Sequence, residues 1–238
     1  MNRLLDFFFP PHCLLCGSDH RLLSGSYICQ PCFYDLPVNS HSCQRCGVPL
    51  KEYASPVELA MCGQCLAVPP GFDSCWSPFI YAQPLEWVIR RFKFNASLAF
   101  APMLANLMIQ QMPAALRDGC KADAIIPMPL HNKRLRQRGF NQSLLLAKPI
   151  AKALGLKIDR GCCQRVKDTA HQTGKNARQR QQNIKGAFKF NNINNYKHLI
   201  IIDDVVTTGA SVAELSRTLK LSGVSRVDVW SLARAEKN

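Results

Sequence analysis

The stretch HLIIIDDVVTTGAS, residues 198–211, decides the fold. It opens with an unbroken apolar run, the pattern of a strand buried on both faces. Two adjacent carboxylates, Asp203 and Asp204, end the run, and Thr207, Thr208, Gly209, Ala210 and Ser211 follow. Beyond them the spacing predicts a helix over 212–221, with Gly223 as terminator, and a second apolar strand over 226–232. A strand, a helix and a strand with short connections make a parallel pair. The expectation is therefore an α/β fold: a strand over 199–203, a loop over 204–211, and a parallel sheet flanked by helices.

The loop has a chemistry of its own. Backbone N–H groups at a helix N-terminus are unpaired and point outward. With Thr and Ser hydroxyls they form a cradle for phosphate, and Gly209 lets the backbone come close to an anion. The acid pair stands at the carboxyl end of a parallel strand, where open α/β sheets bind ligands. A ribose 5-phosphate calls for both features, hydroxyls for the carboxylates and phosphate for the loop. Competing motifs are absent: there is no GxGxxG, and Thr173-Gly174-Lys175 lacks the first glycine of a P-loop. A magnesium site made of Asp203 and Asp204 alone leaves the Thr/Gly/Ser loop unexplained. The purely structural alternative is a strand end before a helix capped by Ser211. Against it, adjacent carboxylates at a buried strand end cost free energy without a ligand.

Upstream, ADAIIPMP (122–129) predicts a strand over 124–128, and 142–154 a helix that Pro149 can kink. Between them LHNKRLRQRGFNQ (130–142) is densely basic and reads as a loop. Residues 164–183 are polar and basic with no burial period, again a loop, and GAFKF (186–190) reads as a short strand. Residues 85–112 are helical in spacing, divided in two by Pro102, with Trp87, Val88, Arg91 and Phe92 able to share faces. Pro69, Pro70, Gly71, Pro78 and Pro84 break regular structure and place a domain junction near residue 70. The expected domains are 1–70 and 71–238.

The first of these is governed by cysteine. Eight of the twelve cysteines form four CxxC pairs: Cys13/Cys16, Cys29/Cys32, Cys43/Cys46 and Cys62/Cys65, with gaps of 12, 10 and 15 residues. Two such turns supply the tetrahedral thiolate set that zinc prefers, and Gly17 and Gly47 suit a knuckle. The expectation is two structural zinc ribbons. In sequential order, Cys13, Cys16, Cys29 and Cys32 hold one Zn²⁺, and Cys43, Cys46, Cys62 and Cys65 the other. An interleaved cross-brace is the alternative. Structural disulfides fit poorly with the absence of an export signal, and redox chemistry does not need four copies. An iron–sulfur cluster suits the even pairing less well than zinc. His12, His20 and His41 lie near the cysteines and are not needed as ligands. Cys75, Cys120, Cys162 and Cys163 read as small apolar residues.

Charge divides the chain as well. Residues 1–120 hold 8 basic and 8 acidic residues, whereas 121–238 hold 22 and 8, the whole net charge of +14. Within 133–189 there are 15 basic residues and 2 acids, Asp159 and Asp168. Two zinc–tetrathiolate centres, each formally −2, lower the total to about +10 and make the first half acidic. Charge so concentrated favours a phosphate-rich partner over a merely solvated face. Aromatic residues for base stacking in that segment are few: Phe140, Phe188 and Phe190. No apolar run reaches the ~18 residues of a membrane span, and the N-terminus reads as neither signal nor transit peptide. A cytoplasmic protein is expected.

IIIDDVVTTGAS resembles the phosphoribosyl-pyrophosphate motif of type I phosphoribosyltransferases. Together with PLHNKRLRQRGFNQ (129–142), TAHQTGKNARQRQQNIKGAF (169–188) and the leading cysteine ribbons, the chain resembles the ComF family of competence and DNA-utilisation proteins along nearly its whole length. The resemblance implies a type I phosphoribosyltransferase-like domain that binds phosphoribosyl pyrophosphate with Mg²⁺. Asp203 and Asp204 would hold the ribose hydroxyls, and Thr207, Thr208, Gly209 and Ser211 the 5-phosphate. The loop from Pro129 to Arg134 would meet pyrophosphate, with Gln172, Arg180 and Asn183 above the site. Lys93, in RRFKF, is family-like without an assigned role. It further implies handling of single-stranded DNA alongside competence proteins such as a DNA-translocating helicase. The alternative is an active phosphoribosyltransferase with an unidentified acceptor. Its chemistry would be loss of pyrophosphate from C1 of the ribose, with charge stabilised by cations and water excluded.

Overall fold

A computed structural model describes residues 12–19, 21–23, 26–50, 60–94, 97–168, 183–191 and 193–236. Its centre is a parallel sheet made of β1 (Ser74–Trp76), β2 (Phe79–Ile80), β3 (Ala124–Pro127), β6 (His198–Val206) and β7 (Arg226–Arg234). The order is β1, β7, β6, β3, and β2 continues along the same edge of β7 as β1. A separate antiparallel pair joins β4 (Cys163–Arg165) to β5 (Phe188–Phe190), the strand expected in GAFKF.

Alternation along β6 sorts the core into two layers. Ile200 and Ile202, with Ile125, Trp230 and Leu232, face helices α3 (Leu85–Phe94), α4 (Phe100–Gln110) and α7 (Gln142–Leu154). Leu199 and Ile201, with Ile126, Val227 and Val229, face Val212, Leu215 and Leu219 of α8 (Ala210–Leu221). These side chains are essentially inaccessible, and each contributes roughly 1.5–3 kcal/mol by leaving water. Pro102 lies in the first turn of α4, where its missing N–H is tolerated, and the expected division into two helices is present. Pro149 sits inside α7.

Three expectations change. The strand expected to end at 203 runs on to Val206, because β7 continues beside it as far as Val206↔Arg234. The helix after it opens at Ala210 on Gly209, whose φ of 79° is left-handed, and no side chain caps it, so Ser211 is not the N-cap. The basic segment 130–142 is not a loop: it contains α6 (Asn132–Arg138). Lys, Arg, Leu and Gln are good helix formers. His131 Nδ1 accepts from the Lys133 N–H at 3.3 Å, and Gly139 closes the C-terminus.

The ribbons flank this sheet. Helix α1 (Gln30–Tyr34) belongs to the first, α2 (Gly63–Ala67) to the second, and α5 (Ala114–Asp118) follows α4. Cys13, Ile28, Cys29 and Leu36 join the core layer of α3 and α4, whereas Cys43, Cys46, Val48 and Cys65 join that of α8. Contacts cross the expected junction at residue 70. The segment between the ribbons lies against β2, with a Val38↔Phe79 bridge and Ile80 N–H donating to Pro37 O at 2.7 Å.

Candidate functional site

Each cysteine quartet closes on one point, in the sequential arrangement. Within a quartet all four sulfurs lie within 4.8 Å of one another. Cys16 and Cys29 sulfurs are 3.8 Å apart, and Cys46 and Cys62 sulfurs 3.7 Å. A tetrahedron with Zn–S bonds of about 2.3 Å has edges of about 3.8 Å, so the quartets fit zinc. The local geometry repeats. Gly17 N–H donates to Cys13 O and Gly47 N–H to Cys43 O. Both glycines have positive φ, 73° and 67°, as a knuckle requires. Cys29 N–H donates to Cys13 Sγ at 3.4 Å and Cys62 N–H to Cys43 Sγ at 3.3 Å, bonds that favour thiolate. Hydrogen bonding with Ser18 draws Cys16 down to about 6, while burial pushes Cys32 and Cys65 up. Four sulfurs this close do not all ionise without a cation, and Zn²⁺ removes the conflict. The remaining cysteines are packed: Cys75, Cys162 and Cys163 are buried and Cys120 lies against the core.

The second feature is a cleft of about 700 Å³ at the carboxyl edge of the sheet. It exists because β3 stops opposite Ile202, while β6 runs on from Asp203 with only β7 beside it. Arg134, Asp203, Asp204, Thr207, Thr208, Gly209 and Ser211, all expected site residues, line it together. Asp203 is pinned by Ser143 Oγ, donating at 3.1 Å, and by the Asp204 N–H at 2.9 Å. Burial pushes its carboxyl up to about 7, with the neighbouring Asp204 carboxylate adding to the rise and Lys93 opposing it. Asp204 is ion-paired with Lys93 Nζ at 2.9 Å. That gives Lys93 a place the sequence left open, 111 positions away in the chain.

The cleft wall also carries Arg138, which the sequence reading names with Arg134 and Arg136 as contacts for single-stranded DNA, and Arg90 and Arg165, which it did not single out. Arg138 donates to Gln142 Oε1 at 2.7 Å, and Arg134 lies 3.7 Å from Asp168. Of the expected stacking residues, Phe140 packs on Phe92 and Phe188 is buried beneath Arg165. Phe190 is partly buried. The exposed aromatic of the cleft is instead Phe94, 73% accessible, with the Arg138 guanidinium 5.5 Å from its ring centre. Gln172 and Arg180 lie outside the described residues; Asn183 is described but is not among the cleft-lining residues. One further residue touches the loop. Arg234, at the end of β7, reaches the carbonyls of Val206 and Thr207 from below. An arginine closing a buried apolar strand was its only signal.

Comparison with known proteins adds to this geometry. A family model, the double zinc ribbon domain, matches residues 4–66. The chain is 37% identical over 227 residues to the DNA utilization protein YhgH of Salmonella typhimurium, covering 94% of this chain and 97% of that one. It is 35% identical over 228 residues to the DNA utilization protein YhgH of Escherichia coli K12, with the same coverage of each. It is 34% identical over 238 residues to Competence protein F of Haemophilus influenzae, covering 96% and 99%. Among the described residues, no helix is long and apolar enough to cross a membrane.

Proposed function

The chain belongs to the ComF family of competence and DNA-utilisation proteins, and from that premise we propose that its cleft binds phosphoribosyl pyrophosphate with Mg²⁺ while its basic face engages single-stranded DNA. The observation that carries the first half is convergence. A buried acid pair, a Thr/Gly/Ser loop opening a helix, and Lys93, Arg90, Arg134, Arg138 and Arg165 line a single cleft. Cations around two carboxylates suit a ligand with hydroxyls on one side and several phosphates on the other. Asp203 and Asp204 accept from ribose hydroxyls. The loop 207–211 donates to the 5-phosphate from backbone and hydroxyl groups. Arg134 and Arg138 face the pyrophosphate, whose charge Mg²⁺ helps to neutralise when bound. Lys93 relieves repulsion within the acid pair.

Titration calorimetry tests this. Affinity is expected to fall more than 30-fold in the double variant Asp203→Asn, Asp204→Asn; equal affinity in wild type and variant refutes the assignment. A pyrophosphate-release assay, run with and without single-stranded DNA, separates a transferase that turns over from a protein that only binds.

For DNA the support is α6, whose Arg134 and Arg138 line the cleft and which also carries Lys133 and Arg136, together with the exposed ring of Phe94. Stacking on an aromatic ring is worth about 1–3 kcal/mol per base and tolerates any sequence. Single-strand binding is expected to weaken steeply with salt, at roughly −0.7 in log–log slope per phosphate contact. Phe94→Ala is expected to weaken it about 5-fold or more. Fluorescence anisotropy at two salt concentrations checks both, and no binding at the lower salt removes the DNA half of the proposal.

A further inference from the structure

Arg234 is a buried guanidinium, 1% accessible, placed between the second ribbon and the phosphate loop. Its Nε donates to Cys46 O at 2.8 Å. Its Nη1 donates to Val206 O at 2.8 Å, to Thr207 O, and to Ala235 O at 3.0 Å. Cys46 is a ligand of the second quartet, so one side chain joins a zinc knuckle to the backbone at the start of the loop. The peptide unit is planar and trans, so each carbonyl points opposite to the N–H that follows it. Turning the Val206 and Thr207 carbonyls toward Arg234 turns the Thr207 and Thr208 N–H groups away from it. Both threonines line the cleft.

Both ends of this link are stiff. At the knuckle, Gly47 packs closely on β1: a Cβ there would meet Cys75 O and Cys75 Sγ at 3.1 Å. Asn39 Nδ2 donates to Gly47 O at 3.0 Å and to Ser77 O at 3.1 Å. At the sheet, Val206 and Arg234 are paired in register, and Tyr81 N–H donates to Arg234 O at 2.8 Å. The charge also needs an answer, since a buried cation is costly without a nearby anion. A zinc–tetrathiolate is formally −2, and Cys46, one of its ligands, holds the guanidinium through its carbonyl.

We propose that Arg234 is a positioning residue through which the second zinc site sets the conformation of the phosphate loop, so that zinc retention at that site and anion binding in the cleft are coupled. Coupling between two sites is reciprocal: whatever zinc does for the anion, the anion does for zinc. The first ribbon has no part in this, because its cysteines join the other core layer.

Two measurements on the full chain test the coupling, and only the second rests on the ligand reading above. In the first, hydrogen exchange of the segment 204–212 is followed as a chelator strips zinc from the wild type. The segment is expected to exchange at least 10-fold faster once the second site empties. Arg234→Met, with both zinc ions still bound, is expected to reproduce that loss of protection, and Arg234→Lys to restore part of it. In the second, zinc release to a chromophoric chelator is timed with and without phosphoribosyl pyrophosphate. Ligand is expected to slow one zinc equivalent 3- to 10-fold and leave the other unchanged, and Arg234→Met to abolish the difference. Unchanged exchange of 204–212 after zinc loss overturns the proposal. So does an equal response of both zinc ions in a protein shown by calorimetry to bind the ligand. A protein that binds no phosphoribosyl pyrophosphate refutes the ligand reading instead, and the exchange measurement then decides the coupling by itself. If Arg234→Met does not fold, the wild-type exchange and release measurements still decide.

Discussion

The two ribbons match in their local hydrogen bonds and differ in what they hold. Each pairs a CxxCG knuckle with a five-residue helix whose N-cap is the third cysteine, Cys29 or Cys62. The first rests on apolar contact, with Cys13, Ile28, Cys29 and Leu36 in the layer of α3 and α4. The second is also tied by directional bonds: Arg234 to Cys46 O, Asn39 to Gly47 O, and Arg45 to Pro70 O and to Asp73. Hydrophobic contact is non-directional, so the first ribbon stabilises without specifying much beyond its own placement. Hydrogen bonds from a rigid guanidinium fork fix orientation. The same metal motif therefore serves as a weight on one face of the sheet and as a template on the other.

The widest separation between them is expected when each loses a ligand. Cys16 and Cys62 are the more accessible sulfurs of the first pair in one ribbon and the second pair in the other. Both Cys16→Ser and Cys62→Ser should lower zinc from two per chain to about one, measured by elemental analysis. Each should cost at least about 3 kcal/mol of stability, because such sites couple metal binding to folding. Only Cys62→Ser should raise the dissociation constant for phosphoribosyl pyrophosphate, by 10-fold or more, against less than 3-fold for Cys16→Ser. Equal losses of affinity would break the comparison.

The acid pair offers a control for it, since Asp203 is strained by its own burial. Its carboxyl stands near 7 in the folded chain against 3.8 when exposed. A raised acid binds its proton more tightly folded than unfolded, so its contribution is greatest below pH 4 and is lost as pH rises to about 7. Stability of the ligand-free protein should fall by about 2 kcal/mol between pH 5 and pH 8 from this group. Asp203→Asn should remove that slope in denaturant titrations and raise stability at pH 8. It should leave zinc content and the rate of zinc loss from both ribbons unchanged. A change in the second ribbon alone would mean that the acid pair, and not Arg234, carries the connection.

How much of this could be read from the chain follows from distance along it. The strand over 199–203, the helix after it and the four CxxC pairs are local patterns, so periodicity and spacing were enough to find them; spacing left a cross-brace open, and the fold brings the pairs together in sequential quartets. Helix α6 escaped because NKRLRQR buries no face and shows no apolar period; it is held by its ends and by good helix formers. The role of Lys93, and Arg234 altogether, escaped for another reason. Their partners, Asp204 for one and Cys46, Val206 and Thr207 for the other, are brought near by the sheet and not by neighbouring sequence. Phe94 follows a buried Phe92 in RRFKF, and only the folded helix shows which ring is exposed.

The finest test uses the two knuckle glycines. Gly17 and Gly47 share a left-handed backbone, and alanine in that region costs about 1 kcal/mol at either position. Space around them differs. A Cβ on Gly17 meets nothing within 4 Å, whereas one on Gly47 meets Cys75 O and Sγ at 3.1 Å and Ser77 Oγ at 3.5 Å. Cys75 O belongs to a strand of the sheet, so it is not free to retreat. Gly47→Ala should then cost about 1 kcal/mol more than Gly17→Ala, the lower end of what overpacking a tight site exacts. Both variants should keep two zinc ions, because neither touches a sulfur ligand. The added methyl at Gly47 pushes the knuckle away from β1 and shifts Cys46 O relative to Arg234. Exchange of residues 204–212 should therefore quicken in Gly47→Ala and stay at the wild-type rate in Gly17→Ala. If the two variants lose equal stability and leave the loop equally protected, the second knuckle is no more firmly seated than the first, and the contrast between the ribbons fails at its smallest scale.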